Sequence, residues 1–103
     1  MPFSNTPWET PESNLSPEDF CSVCLIDENE PRQQKIKANC KLPIRSTPGG
    51  PYSMAAMRNA AARLPQTDAP TDAKRKAARR LVSLMREAGM EPGESTMRMA
   101  GMR

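Results

Sequence analysis

Histidine is absent from these 103 residues, and aromatic residues are scarce: one Trp, one Tyr and two Phe. Without His there is no imidazole for a general base, a nucleophilic triad or a mixed Cys/His zinc set. Nor is there a Gly-rich phosphate loop, a Ser or Cys beside a base, or a carboxylate dyad outside the acidic N-terminal region. The expectation is therefore a protein that is not an enzyme. Leu, Ile, Val and Phe together number only 13, which predicts a thin core that leans on a partner, a metal or a neighbouring copy. No apolar run approaches the roughly 20 residues that span a bilayer. The first residues also lack the basic and apolar regions of a signal peptide, so a soluble chain made in the cytoplasm is expected, with no membrane partner. Its three cysteines, an odd number in a reducing compartment, argue against a disulfide framework.

Positive charge is missing from the first 30 residues, which hold seven acidic groups (Glu9, Glu12, Glu18, Asp19, Asp27, Glu28 and Glu30) and no Lys or Arg. Residues 31–103 hold fifteen basic and five acidic groups. The net +3 thus hides a dipolar chain. Its acidic end can cover its own basic helices or face a neighbour, which weakens the case for strong nonspecific DNA binding.

What is present is organised around residues 42–89, a Leu-Pro-Ile entry, a turn and two Ala-rich basic helices. Ahead of them, residues 1–17 carry four prolines among Ser, Thr, Asn and Glu, an extended acidic arm. Phe3 and Trp8 are its anchors, either into another surface or back onto the chain's own small core. Ser16-Pro17-Glu18-Asp19 has the form of a one-turn helix start. Residues 20–26 then read as a short strand with Cys21, Val23 and Leu25 on one face. Residues 27–34 form a charged loop, and 35–44 alternate Ile36, Ala38, Cys40 and Leu42 against Lys35, Lys37, Asn39 and Lys41, a half-buried strand. Together they predict an irregular antiparallel hairpin.

Residues 46–51 are turn chemistry, and Ser53 is a plausible N-cap. Met54, Met57, Ala61 and Leu64 share one helical face, with Ala56 and Ala60 beside it, and Pro65 ends that helix. Thr71 or Asp68 can cap the second helix. Its apolar stripe is Ala73, Ala77, Leu81, Leu84, Met85 and Ala88, Lys and Arg fill the remaining arc, and Gly89 ends it. Pro92, Gly93 and Gly101 argue against another stable helix, leaving residues 90–103 as a flexible Met-rich tail around Met97 and Met99. The predicted fold is a small α+β module. It has an arm at 1–17, a short irregular β-hairpin and an antiparallel helix pair (54–64 and 72–88) within 18–89, and a C-terminal tail at 90–103.

Two motifs carry chemistry. Cys21-x-x-Cys24 with Cys40 outlines a zinc site, two thiolates from a tight turn and a third from the returning strand. A fourth ligand is missing and would have to be Asp19, Asp27 or a partner's residue; small buried hydrophobes are the alternative. The pair lacks the helix N-terminus and adjacent cation that would make it a redox motif. The basic arc of the second helix, residues 74–86, can track phosphates, although it serves equally as an ordinary solvated face.

Four stretches, Phe20-Cys21 through Cys24-Leu25-Ile26-Asp27, Cys40-Lys41-Leu42-Pro43-Ile44-Arg45, Asn59-Ala60-Ala61-Ala62-Arg63-Leu64 and Ala77-Ala78-Arg79-Arg80-Leu81, resemble a small module encoded in tailed-bacteriophage head-gene clusters. That module occurs alone or appended to other head proteins, and the similarity covers about residues 17–89. It implies a virion component, a minor or decoration protein on the capsid, and carries over no catalytic residue. The partner would then be the major capsid protein or another head protein, in many copies per particle. The candidate partner-binding residues are Phe3, Trp8, Arg58, Arg75, Arg79, Arg86, Met97 and Met99. A DNA-binding or regulatory protein using the second helix, and a zinc-stabilised adaptor, are the alternatives.

Overall fold

In a computed structural model of the chain, which describes residues 3–5, 8, 11 and 13–102, the helix-start signal at Ser16 is used. The Ser16 hydroxyl accepts from the Asp19 backbone N–H at 3.2 Å, and Pro17 occupies the first helical position. The helix, α1 (Pro17–Ser22), runs longer than one turn and takes up Phe20 and Cys21, both buried. The following strand therefore starts only at Cys24, with Cys24 and Ile26 buried and Leu25 half-buried. The expected face of Cys21, Val23 and Leu25 does not form, because half of that run is helical. Pro2, Pro7, Glu9, Glu12 and Arg103 lie outside the described residues.

The strand before it, β1 (Phe3–Ser4), pairs in parallel with β4 (Tyr52–Ser53); β2 (Cys24–Asp27) pairs antiparallel with β3 (Cys40–Pro43), Ile26 opposite Lys41 and Asp27 opposite Cys40. The alternation expected from residue 35 sets in only at Cys40. Residues Lys37–Asn39 form a 3-10 turn, Ala38 is exposed and Ile36 is 57% exposed. From there Cys40, Leu42 and Ile44 all point inward. Leu42 does so with φ at +65°, a left-handed backbone that side chains with a Cβ adopt at a cost.

Ile44 and Ser53 are joined across a turn by the Ser53 N–H to Ile44 carbonyl bond at 2.8 Å. In that turn Pro48 precedes Gly49 at φ +80°, and the Gly50 N–H closes onto the Thr47 carbonyl at 3.0 Å. This is the Pro-Gly chemistry of a type II turn. The Ser53 hydroxyl then caps α2 (Met54–Arg63), accepting from the Ala56 N–H at 3.1 Å.

A 3-10 turn at Leu64–Gln66 leads to α3 (Thr71–Glu87), whose N-cap position is Pro70 with no side-chain cap, so neither Thr71 nor Asp68 serves. α3 buries Ala77, Ala78, Leu81, Val82, Leu84 and Met85, a wider stripe than expected; Ala73 and Ala88 are half-buried. Gly89, at φ +75°, ends it as expected. The C-terminal segment is not an unstructured tail: Glu94–Met99 forms α4, packed on α3 with Thr96 and Ala100 buried. The glycines lie at its ends, not within it, and the burial supplies what its short length lacks.

The result is a small α+β fold with four α-helices and short strands among the described residues. One apolar cluster joins Ile26, Leu42, Ile44, Met57, Leu64, Leu81, Val82 and their neighbours. A second, smaller one is made of Phe20, Cys21, Cys24 and Cys40. The body is a slab of 37 × 31 × 19 Å.

Candidate functional site

The smaller cluster sits beneath the loop at residues 28–39. Here α1 delivers Cys21 to Cys40 at the head of β3, and the two form a disulfide with Cα atoms 5.3 Å apart. The expectation that the cysteines stay unpaired is thereby corrected. The odd total does not prevent one pair from meeting when α1 turns Cys21 toward β3. Cys24 remains a buried thiol.

Asn29 organises the loop from above the disulfide. Its backbone N–H and its Nδ2 each donate to Asp27 Oδ1 at 2.9 Å, and its Oδ1 accepts from the Ile36 N–H at 2.8 Å and from Asn39 Nδ2 at 3.3 Å. The same Nδ2 lies 3.2 Å from the Ile36 carbonyl, 3.2 Å from Cys40 Sγ and 3.5 Å from Cys21 Sγ. Asp27 Oδ2 pairs with the Lys35 ammonium. Burial works against the charged carboxylate, but Lys35 and the two Asn29 donors outweigh it and hold Asp27 below the usual carboxylate range. Lys41 and Glu28 form a second ion pair at 3.3 Å.

The metal set expected from sequence changes membership. The donor atoms that converge, all within 4.8 Å of one another, belong to Cys21, Asp27 and Cys40. Cys24 is not among them, being carried off by β2 opposite Pro43. These three residues can form a metal site, but two of them are joined in the disulfide.

Beside the loop, a groove of about 490 Å³ runs between β3 and α2. Trp8, Phe20 and Ala60 give it apolar walls, and Lys37, Lys41 and Arg63 give it positive charge. Trp8 is half-buried there.

Compared with known proteins, the chain matches no family model, no curated protein and no solved structure.

The candidate partner-binding residues divide among separate places. Phe3 lies against Tyr52, ring centroids 5.9 Å apart, and Tyr52 also receives the Arg45 guanidinium at 4.3 Å over its ring. Arg79 Nε donates to the Ala100 carbonyl at 2.9 Å, and Arg86 reaches the Met97 sulfur at 3.7 Å. Met97 and Met99 are half-buried against the main core. These four residues therefore tie α4 to the body. Arg58 and Arg75 are exposed.

The ion pairs among described residues are Asp27–Lys35, Glu28–Lys41 and Glu94–Arg98, so none of those three pairs involves α2 or α3. Asn29 and the groove cations Lys37, Lys41 and Arg63 were not singled out from sequence. The Asp27-x-Asn29 spacing, a pattern of Asx turns, was the available signal for the first. The groove cations are contributed by β3, its preceding turn and α2, so no local pattern joins them.

Proposed function

We propose that this chain is a non-enzymatic docking module of a tailed-phage virion, binding the capsid as a minor or decoration protein. The observation that carries this reading is the groove between β3 and α2. It combines a tryptophan and apolar walls with the exposed Arg63 and with Lys37 and Lys41, the last paired to Glu28, a surface chemistry suited to a protein edge that presents apolar and acidic side chains together. Trp8 brings a residue of the N-terminal segment to the groove, so a partner seated there meets it together with β3 and α2. The head-gene resemblance implies as partner the major capsid protein or another head protein. A flat body suits adhesion to a repeating surface, where many weak contacts add.

The test is biochemical fractionation of the phage that encodes the chain. Purified virions should contain it in many copies, and the isolated protein should co-sediment with mature capsids. Virions free of the protein would end this reading.

The exposed cations of α2 and α3, among them Arg58 and Arg75, favour one alternative, binding to nucleic-acid phosphates. A low-salt mobility shift on duplex DNA that weakens steeply with salt would establish it.

A further inference from the structure

We propose that reduction of the Cys21–Cys40 disulfide opens a binding site for a thiophilic divalent cation, ligated by the two sulfurs and by the Asp27 carboxylate. Neither the site nor its chemistry depends on capsid docking. Three observations carry it: the donor atoms of Cys21, Asp27 and Cys40 already lie within 4.8 Å of one another; they come from α1 and the two strands of one hairpin, so the scaffold holds them together; and a positively polarised group already sits among them. That group is the Asn29 amide, whose Nδ2 is 2.9 Å from Asp27 Oδ1, 3.2 Å from Cys40 Sγ and 3.5 Å from Cys21 Sγ.

An amide nitrogen has two hydrogens, and this one faces a fourth acceptor, the Ile36 carbonyl at 3.2 Å. Its two hydrogens cannot serve all four acceptors, so the two sulfurs, once reduced, are left short of a donor that a cation can replace. Two thiolates and a carboxylate favour a borderline or soft ion such as Zn²⁺ or Cd²⁺ over Mg²⁺ or Ca²⁺. With zinc–sulfur bonds of about 2.3 Å, tetrahedral sulfurs stand about 3.8 Å apart, a separation that side-chain rotation can supply from the present backbone.

The chemistry balances in two steps. A dithiol reductant transfers two electrons and two protons, the Cys21–Cys40 bond breaks to two thiols, and the reductant leaves as its own disulfide. The divalent ion then displaces both thiol protons to solvent while Asp27 exchanges Lys35 and Asn29 for the metal. A small-molecule disulfide, attacked in turn by the two sulfurs, accepts the two electrons, takes up two protons and leaves as two thiols, which re-forms the Cys21–Cys40 bond and releases the ion.

Cadmium titration of the full chain tests this, with the oxidised protein compared against protein reduced and freed of reductant. The reduced chain should bind one equivalent, develop thiolate-to-cadmium absorption and release two protons; the oxidised chain should do none of these. Cys24→Ala should keep the reduced affinity, Asp27→Asn should weaken it at least about tenfold, and Asn29→Asp, which places a carboxylate among the donors, should tighten it at least about tenfold. Absence of one-to-one binding to the reduced chain, equal binding to the oxidised one, or loss of binding in Cys24→Ala would overturn the proposal. Should reduction unfold the chain, cadmium should restore the helical circular dichroism signal, and failure to restore it would be equally decisive.

Discussion

Asn29 ties together a loop that has little else to hold it. Its side chain joins Asp27 on β2 to Ile36 and Asn39 across the loop, beyond the last cross-strand backbone bond, from the Glu28 N–H to the Asn39 carbonyl at 2.9 Å. Asn29→Ala removes these bonds and leaves the Ile36 N–H to water, so a loss of about 1–2 kcal/mol is expected in urea denaturation. Asp27 adds a pH dependence whose sign follows from its lowered pKa. The unfolded chain binds that proton more readily than the folded one. The Asp27 contribution is therefore fully present above the unfolded pKa and disappears as pH falls through the lower folded value. In the oxidised, metal-free protein, Asp27→Asn should flatten the stability profile below about pH 4, as read from denaturation midpoints across an acid series.

At the scale of elements, the links between segments matter more than the segments. The Cys21–Cys40 bond ties α1 to β3 across a sequence separation of 19, and closing a loop of that length stabilises by about 3 kcal/mol on chain-entropy grounds. Reduction should lower the urea midpoint accordingly without changing the helical signal in water. Gly49 works in the turn that brings Ile44 to Ser53: at φ +80° any Cβ is strained, and Gly49→Ala should cost about 1–2 kcal/mol by thermal or urea unfolding.

What the sequence made legible was whatever repeats locally. α2 and α3 show the 3.6-residue period with their stops, Ser53 caps α2 and Gly89 closes α3. Cys40 and Leu42 were also readable as inward from alternation, whereas Ile36 and Ala38 of the same set are exposed and Ile44 extends it. Cys21 was misplaced because the strand-like run at residues 20–26 competes with a capped helix start, and the helix prevails through Ser22. α4 could not be read because its order comes from Thr96 and Ala100 packing on α3. Of the candidate site, the three ligand-bearing segments were visible, whereas the exchange of Cys24 for Asp27 depends on where α1 ends.

For the whole molecule, the decisive property is how charge and apolar surface are shared out. The described carboxylates that form ion pairs are matched within the hairpin or within α4, Lys41 at the groove among their partners, while Arg58 and Arg63 of α2 and Arg75 of α3 are exposed. If the groove is the docking surface, Trp8→Ala should weaken capsid co-sedimentation by about tenfold or more, as expected for truncating a buried aromatic anchor. Arg63→Glu should do so with a salt dependence that the wild type lacks in that direction: added salt should partly rescue the variant by screening the new repulsion. Both variants should retain wild-type circular dichroism.

The placement of Phe3 and Trp8 has one more consequence, an optical one. Tyr52, against which Phe3 rests, and Trp8, which lines the groove, are the chain's single tyrosine and single tryptophan. Indole emission therefore reports on the groove alone, and a partner seated there should shift it in an unlabelled sample.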